Sequence, residues 1–213
     1  MKDIVIIGAG GLGREVAQYI KDINKTNPTY RVLGFIDNDI NKKGILHSDI
    51  PVLGDFDALD LIYKTSEQLY GFCAVANPKI KKRLVNQMKE YNIKDINIIH
   101  PSAYITPEVK IGEGVLISPY CVLTTNITIG NHVHINPQCG IGHDTTIGDY
   151  TTLYWSVNIS GNVDVECEVA IGSKAFIKQG LKIGKNSIIG AGTVVIKNVK
   201  EATTVAGVPA REI

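Results

Sequence analysis

His143-Asp144 is the pair in this 213-residue chain best suited to moving a proton. An imidazole accepts a proton near neutral pH, and an adjacent carboxylate orients the ring and raises its basicity. A lone histidine at a turn is more often simply solvated; this one has an acidic neighbour and a glycine, Gly161, eighteen residues on. A second chemical signal is Gly8-x-Gly10-x-x-Gly13, set between an apolar run and an amphipathic one. Such a loop brings backbone N–H groups and a helix N-terminus to a diphosphate. Asp37, followed by Asn38, ends the next apolar run, where an acidic residue meets a ribose hydroxyl in dinucleotide folds. NAD would suit the motif, but only about a hundred residues surround it, roughly half a dinucleotide fold. A nucleotide sugar, which also carries a diphosphate and a ribose, fits better, with a purely structural loop as the alternative. His132 and His134 taken with His143 raise the question of a metal. They belong to another face, and no carboxylate or cysteine completes a set, so no metal is expected. His47 belongs to no pattern, and His100, before Pro101, reads as structural.

The elements that must hold these residues have two different grammars. From Ile105 every sixth residue is Ile, Leu or Val, through Ile111, Ile117, Leu123 and onward to Ile189 and Val195. A small or β-branched residue generally follows each anchor by four positions, and Gly often follows it directly, as at Gly112, Gly130, Gly142, Gly148, Gly172, Gly184 and Gly190. A tight corner there would want a residue without Cβ. Period six matches neither a helix nor a strand, but it matches the hexapeptide left-handed parallel β-helix, in which three hexads make one triangular coil. One coil is then eighteen residues, so Gly161 stacks above His143. Its N–H is placed to hold the oxyanion that develops in acyl transfer. The unbroken hexads predict a bare prism without an excursion loop, over residues 100–213 with the C-terminal tail.

Residues 1–99 read as a small Rossmann-like βαβ domain. Strands are expected at Asp3–Ile7, Arg31–Asp37 and Tyr70–Val75, with helices at Arg14–Ile23 and Pro78–Tyr91; Ile96–His100 bridges to the prism. Lys and Arg number 22 against 21 Asp and Glu, which argues against a nucleic-acid partner. No apolar run reaches membrane-spanning length, and Met1-Lys2-Asp3 leads into a strand rather than a signal peptide, so a cytoplasmic protein without membrane insertion is expected. Cys73, Cys121, Cys139 and Cys167 form no CxxC pair. Cys121 and Cys139 fall on small-residue hexad positions and read as reduced, buried thiols.

In combination, the glycine-rich α/β domain, His100-Pro101-Ser102-Ala103, the His143-Asp144 corner, Gly190-Ala191-Gly192-Thr193 and Gly207-Val208-Pro209-Ala210-Arg211 resemble the NeuD/PglD-like sugar acyltransferases over essentially the whole chain. That resemblance implies a homotrimer with acetyl-CoA in the groove between adjacent prisms and a nucleotide sugar on the N-terminal domain. It makes His143 the general base, Asp144 its basicity-raising partner and Gly161 the donor to the acetyl carbonyl. Thr152, Ser173 and Ala191 would line the CoA site, and Gly10, Gly11, Leu12, Asp37 and Asn38 would contact the sugar nucleotide. Leu12 stands where some members carry a polar residue, Thr152 where many carry His, and Trp155 where smaller residues are usual. The expected reaction is N-acetylation of a UDP- or dTDP-linked 4-amino sugar in bacterial surface glycan synthesis. O-acetylation of sialic acid and a non-enzymatic nucleotide-sugar-binding or scaffold protein are the alternatives.

Overall fold

The computed structural model describes residues 1–62 and 68–213. It divides into two compact units, Met1–Ala76 with Ile80–Pro101, and Ser102–Ile213 with Asn77–Lys79.

The first unit is a Rossmann-like α/β layer. In chain order it contains β1 (Lys2–Ile7), α1 (Gly11–Thr26), β2 (Tyr30–Ile36), β3 (Leu46–His47), β4 (Ile50–Gly54), α2 (Leu59–Ile62), β5 (Tyr70–Cys73), α3 (Pro78–Glu90) and β6 (Lys94–Asp95). The sheet order is β3-β4-β2-β1-β5-β6, and every pairing is parallel except β3 with β4. Its centre is β1, whose Ile4-Val5-Ile6-Ile7 run is buried, as a strand covered on both faces must be apolar. Helix α1 packs Val16, Ala17, Tyr19 and Ile20 inward. It comes close because residue 13 is glycine: a Cβ there would lie 2.0 Å from the Gly8 carbonyl oxygen. The helix starts at Gly11, three residues earlier than its apolar periodicity suggests, since a glycine-rich first turn carries no such signal. The β3–β4 hairpin and β6 were not anticipated. The hairpin turns through Ser48 and Asp49, both in the left-handed region (φ 49° and 69°), without the Asn-Gly or Asp-Gly pair that marks such turns. His100 lies with Nε2 3.5 Å from Asp22 and its ring edge-on to Tyr19.

The second unit is the left-handed parallel β-helix. Two-residue strands pair in parallel with those eighteen residues away, as Leu116 with His134 and Gly140 with Asn158, until the last turn, where Ile188 pairs with Thr204, sixteen residues on. They form three faces. The first runs Tyr104–Ile105, Val122–Leu123, Gly140–Ile141, Asn158–Ile159, Phe176–Ile177 and Val194–Val195. The second runs Lys110–Ile111, Thr128–Ile129, Thr146–Ile147, Asp164–Val165 and Lys182–Ile183. The third holds Leu116–Ile117, His134–Ile135, Thr152–Leu153, Ala170–Ile171 and Ile188–Ile189, closed by Thr204–Ala206 and the antiparallel Arg211–Glu212. The anchors from Ile117 to Val195 are buried, each contributing roughly 1.5–3 kcal/mol of apolar burial. Cys121 and Cys139 are free and buried among them.

The corners work differently from the expectation. Left-handed φ falls three residues after each anchor, from Gly114 through Tyr120, Asn126, His132, Gln138 and Asp144 to Gly192. The glycines that directly follow the anchors meet another constraint, the coil above. A Cβ on Gly142, Gly148 or Gly172 would lie 2.5–2.6 Å from the backbone nitrogen of Gly161, Cys167 or Ala191. No described helix is long and apolar enough to cross a membrane.

Candidate active site

The His143 corner links the first face to the second. Its backbone is tied in both directions: the Asp144 N–H donates to the Thr125 carbonyl below, and the His143 carbonyl accepts from the Asn162 N–H above, at 3.1 and 2.7 Å. Inside the corner, the buried Thr145 hydroxyl donates to the Ser160 carbonyl. The side chains above this scaffold are half exposed, His143 at 52% and Asp144 at 50%. His143 Nδ1 lies 2.7 Å from Asp144 Oδ2. An ionised carboxylate only accepts, so the ring proton belongs on Nδ1 and Nε2 is left as the free base. The other carboxylate oxygen, Oδ1, accepts from the Asn126 amide at 2.6 Å, one coil below. The Asn126 hydrogen bond, and then that of His143, hold the Asp144 carboxyl below its ordinary value, so the pair keeps its anion across the neutral range.

Gly161 sits directly against the ring. A Cβ at this position would meet His143 Cε1 and Nε2 at 2.5 Å, so only glycine leaves the imidazole its place. Its N–H donates to no other described group, while its carbonyl accepts from Gly180. Gly142 matters for the same nitrogen, because any side chain there would press on Gly161 N. Two residues were thus missed by sequence reasoning. Asn126 was findable by the eighteen-residue arithmetic that links His143 to Gly161, and Gly142 had been read as a turn.

The structure brings His143, Asp144 and Gly161 together but sets Thr152, Ser173 and Ala191 apart from them. Thr152 is fully buried on the third face, between His134 and Ala170. Ser173 and Ala191 share the next corner, where third face turns into first, and the Gly192 N–H donates to the Ser173 carbonyl. Trp155 stands one coil below them, 46% exposed. Within one chain the first face separates that corner from His143. His132, at the third corner, is buried and stacks on Tyr150 at 5.1 Å. Among the described residues, no group of His, Cys, Asp or Glu is placed to hold a metal ion.

In the first unit, β1 delivers the chain through Gly8 (φ 104°) into α1. Gly10 caps the helix without a side-chain hydrogen bond, and its first turn holds no acidic residue. The positive helix end is therefore not neutralised locally, as an anion site requires. Gly10 and Gly11 face open space, Leu12 is half-buried and Asn38 is exposed. Asp37 braces the loop: its carboxylate accepts from the Ala9 and Asp39 N–H groups and from Lys42 Nζ, at 2.9–3.0 Å. Burial alone would raise this carboxyl, but the two N–H groups and the ammonium together hold it below the ordinary value. Three donors on about four lone-pair sites leave room for one hydroxyl.

The sequence and the fold are similar to those of known proteins. A family model for the PglD N-terminal domain matches residues 3–88. The chain is 39% identical over 214 residues to the 2,3,4,5-tetrahydropyridine-2,6-dicarboxylate N-acetyltransferase of Clostridium perfringens, covering 93% of this chain and 88% of that one. It is 34% identical over 215 residues to the GDP-perosamine N-acetyltransferase of Escherichia coli O157:H7, covering 98% and 95%. A histidine-to-asparagine variant of the perosamine N-acetyltransferase of Caulobacter crescentus, solved with CoA and GDP-perosamine, matches with TM-score 0.91 at 27% identity, over 100% of this chain and 97% of that one. With a glycine-rich-loop α/β domain, a hexapeptide prism and relatives matched over nearly the whole length, the chain belongs to the PglD/NeuD-like acetyltransferase family.

Proposed function

We propose that the protein is an acetyl-CoA-dependent N-acetyltransferase whose acceptor is a nucleotide-linked amino sugar. The observation that carries this reading is the His143–Asp144 pair held under Gly161, in a chain that also presents an open phosphate loop. Nε2 of His143 takes the proton of the attacking amine as its nitrogen bonds to the thioester carbon. The Gly161 N–H donates to the carbonyl oxygen as it becomes an oxyanion. Collapse breaks the C–S bond, the thiolate leaves with a proton, and the products are an amide and CoA. Because the imidazole must be neutral to act, the rate rises with pH on the acid side.

Residues 1–99 would hold the nucleotide sugar through Gly10, Gly11, Leu12, Asp37 and Asn38, and residues 100–213 would carry the transfer. Thr152, Ser173 and Ala191 would take CoA. Since Ser173 and Ala191 lie at a different corner from His143, and Thr152 is buried on the third face, the site would be completed by a neighbouring copy in a homotrimer of three times 23.1 kDa. A cytoplasmic place in surface-glycan synthesis fits a nucleotide-linked substrate. A second reading has one observation in its favour, the 39% identity to an enzyme named for a tetrahydropyridine dicarboxylate. It leaves the phosphate loop without a ligand.

The test is a panel of GDP-, UDP- and dTDP-linked amino sugars, the tetrahydropyridine dicarboxylate and free sialic acid, each with acetyl-CoA. Thiol release and product mass are read. Acetylation of a nucleotide amino sugar is expected, and Asp37→Ala should raise its KM without changing that for acetyl-CoA. Efficient acetylation of the dicarboxylate or of sialic acid alone would replace this reading. Tight nucleotide binding without any thiol release would make the protein a scaffold.

A further inference from the structure

Left-handed corners favour Asn and Gly, because few other residues adopt that conformation without strain. The column that carries Asp144 runs Asn126, Asp144, Asn162 and Gly180, all at positive φ. Conformation therefore explains why an asparagine stands at 126. It does not explain where its side chain goes. Asn162, in the same column, makes no side-chain hydrogen bond among the described residues, whereas the Asn126 amide closes to 2.6 Å on Asp144 Oδ1. At the neighbouring corner Asn131 and Asp149 instead accept from backbone N–H groups of the coil below, those of Glu113 and Asn131. At the His143 corner the stacked asparagine grips a carboxylate that itself holds an imidazole.

We propose that Asn126 is a positioning residue for acyl transfer, its amide fixing the Asp144 carboxylate so that Oδ2 stays on Nδ1 of His143. This rests on the reading of His143 as the base. Asp144 is half exposed, so no packing fixes its rotation about Cβ–Cγ. The two hydrogen bonds do so together, one on each oxygen, and removing the lower one frees the carboxylate to turn away from the ring. Because the carboxylate only accepts, the amide nitrogen must face it. The other charged groups on coils stacked near this corner are Glu108, which takes the Thr125 hydroxyl, Lys178 above Ser160, and Asp164 and Lys182 along the second face. Asp144 is the one hydrogen-bonded to the imidazole.

Asn126→Gly is the clean test, since glycine accepts φ 52° and only the amide is lost. kcat should fall about tenfold, the worth of one charge-assisted hydrogen bond, with KM for acetyl-CoA unchanged. The Asp144 carboxyl, followed by carbon NMR in aspartate-labelled protein and assigned by its loss in Asp144→Asn, should titrate closer to the ordinary carboxylate value. Asn126→Asp puts an acceptor where the donor was, and should raise the Asp144 titration further and lower kcat more than glycine does. A merely structural role would move neither readout. Unchanged kcat and an unchanged Asp144 titration in Asn126→Gly would overturn the proposal. So would a loss of kcat accompanied by an equal rise in KM for acetyl-CoA. The titration needs no substrate, so the clamp can fail while the wild-type protein acetylates amino sugars, and the functional reading can fail while the clamp is seen.

Discussion

Two corners of the prism hold a histidine whose ring lies against a stacked glycine, and they do different things. At one, His132 lies over Gly114, where a Cβ would come within 2.2 Å of its Nδ1; at the other, His143 lies under Gly161, where a Cβ would come within 2.5 Å of Nε2. The coil positions differ: His132 is itself the left-handed residue of its corner (φ 54°), whereas at the other corner that place belongs to Asp144 (φ 57°) and His143 precedes it. His132 is 4% exposed and stacked flat on Tyr150, so its ring is a filler between coils. His143 is half exposed and bonded to a carboxylate that a second coil also grips. A glycine that makes room for an imidazole is thus no mark of catalysis by itself. What separates the two rings is exposure, together with the Asp144 carboxylate that His143 holds.

Exchanging each histidine for alanine separates the corners most sharply. His143→Ala should lower turnover by roughly 10²–10⁴-fold with the melting temperature nearly unchanged, the usual range for a general base. His132→Ala should instead lower the melting temperature and leave turnover per folded molecule alone. If both lose turnover alike, the distinction collapses. Next in size are the glycines. Gly161→Ala should cost about 10²-fold in kcat by pushing the ring off its line, with little loss of stability because that ring can swing into solvent. Gly114→Ala should cost about 1–3 kcal/mol of stability in chemical denaturation, since residue 114 sits at φ 66° and the ring it would strike is buried.

The repeat was legible in the sequence because every sixth position has one fixed environment, the inside of a triangle, and only Ile, Leu and Val fill it. The stacking of Gly161 on His143 followed from counting. The left-handed corners were not legible, since Tyr120, His132, Tyr150 and Lys174 all adopt positive φ there, held by the ladder rather than by their own preference. The Asp37 bond to Ala9 joins residues twenty-eight apart in two loops, and nothing in either loop announces it. Strands as short as β3 and β6 carry too few residues for a period to appear.

Smaller effects sharpen the same contrast. Asp144→Asn should lower kcat about tenfold, less than the loss of the base, because the amide still orients the ring but stabilises its charged form poorly. The acid side of the stability curve adds a check. The hydrogen bonds from Asn126 and His143 depress the folded Asp144 carboxyl, so its stabilising contribution is present above the unfolded value of about 3.9 and lost as pH falls through the folded one. The gap in melting temperature between wild type and Asp144→Asn should therefore be open near pH 6 and close below about pH 4. A gap that stays constant into acid would mean that the carboxylate is not held in the way the corner shows.

The eighteen-residue register also decides which changes of length the prism can absorb. From Ile105 to Val195 each strand pairs with the one eighteen residues on, so a whole added or deleted coil restores every column there; the last turn is two residues shorter, Ile188 pairing with Thr204, and still buries Val205. The early coils, from Ile105 to Leu123, are thus open to such a change. The stretch from Asn126 to Gly161 is not: the four residues that meet at the His143 corner come from three successive coils, so a coil spliced between any two of them leaves a sound prism with that corner taken apart.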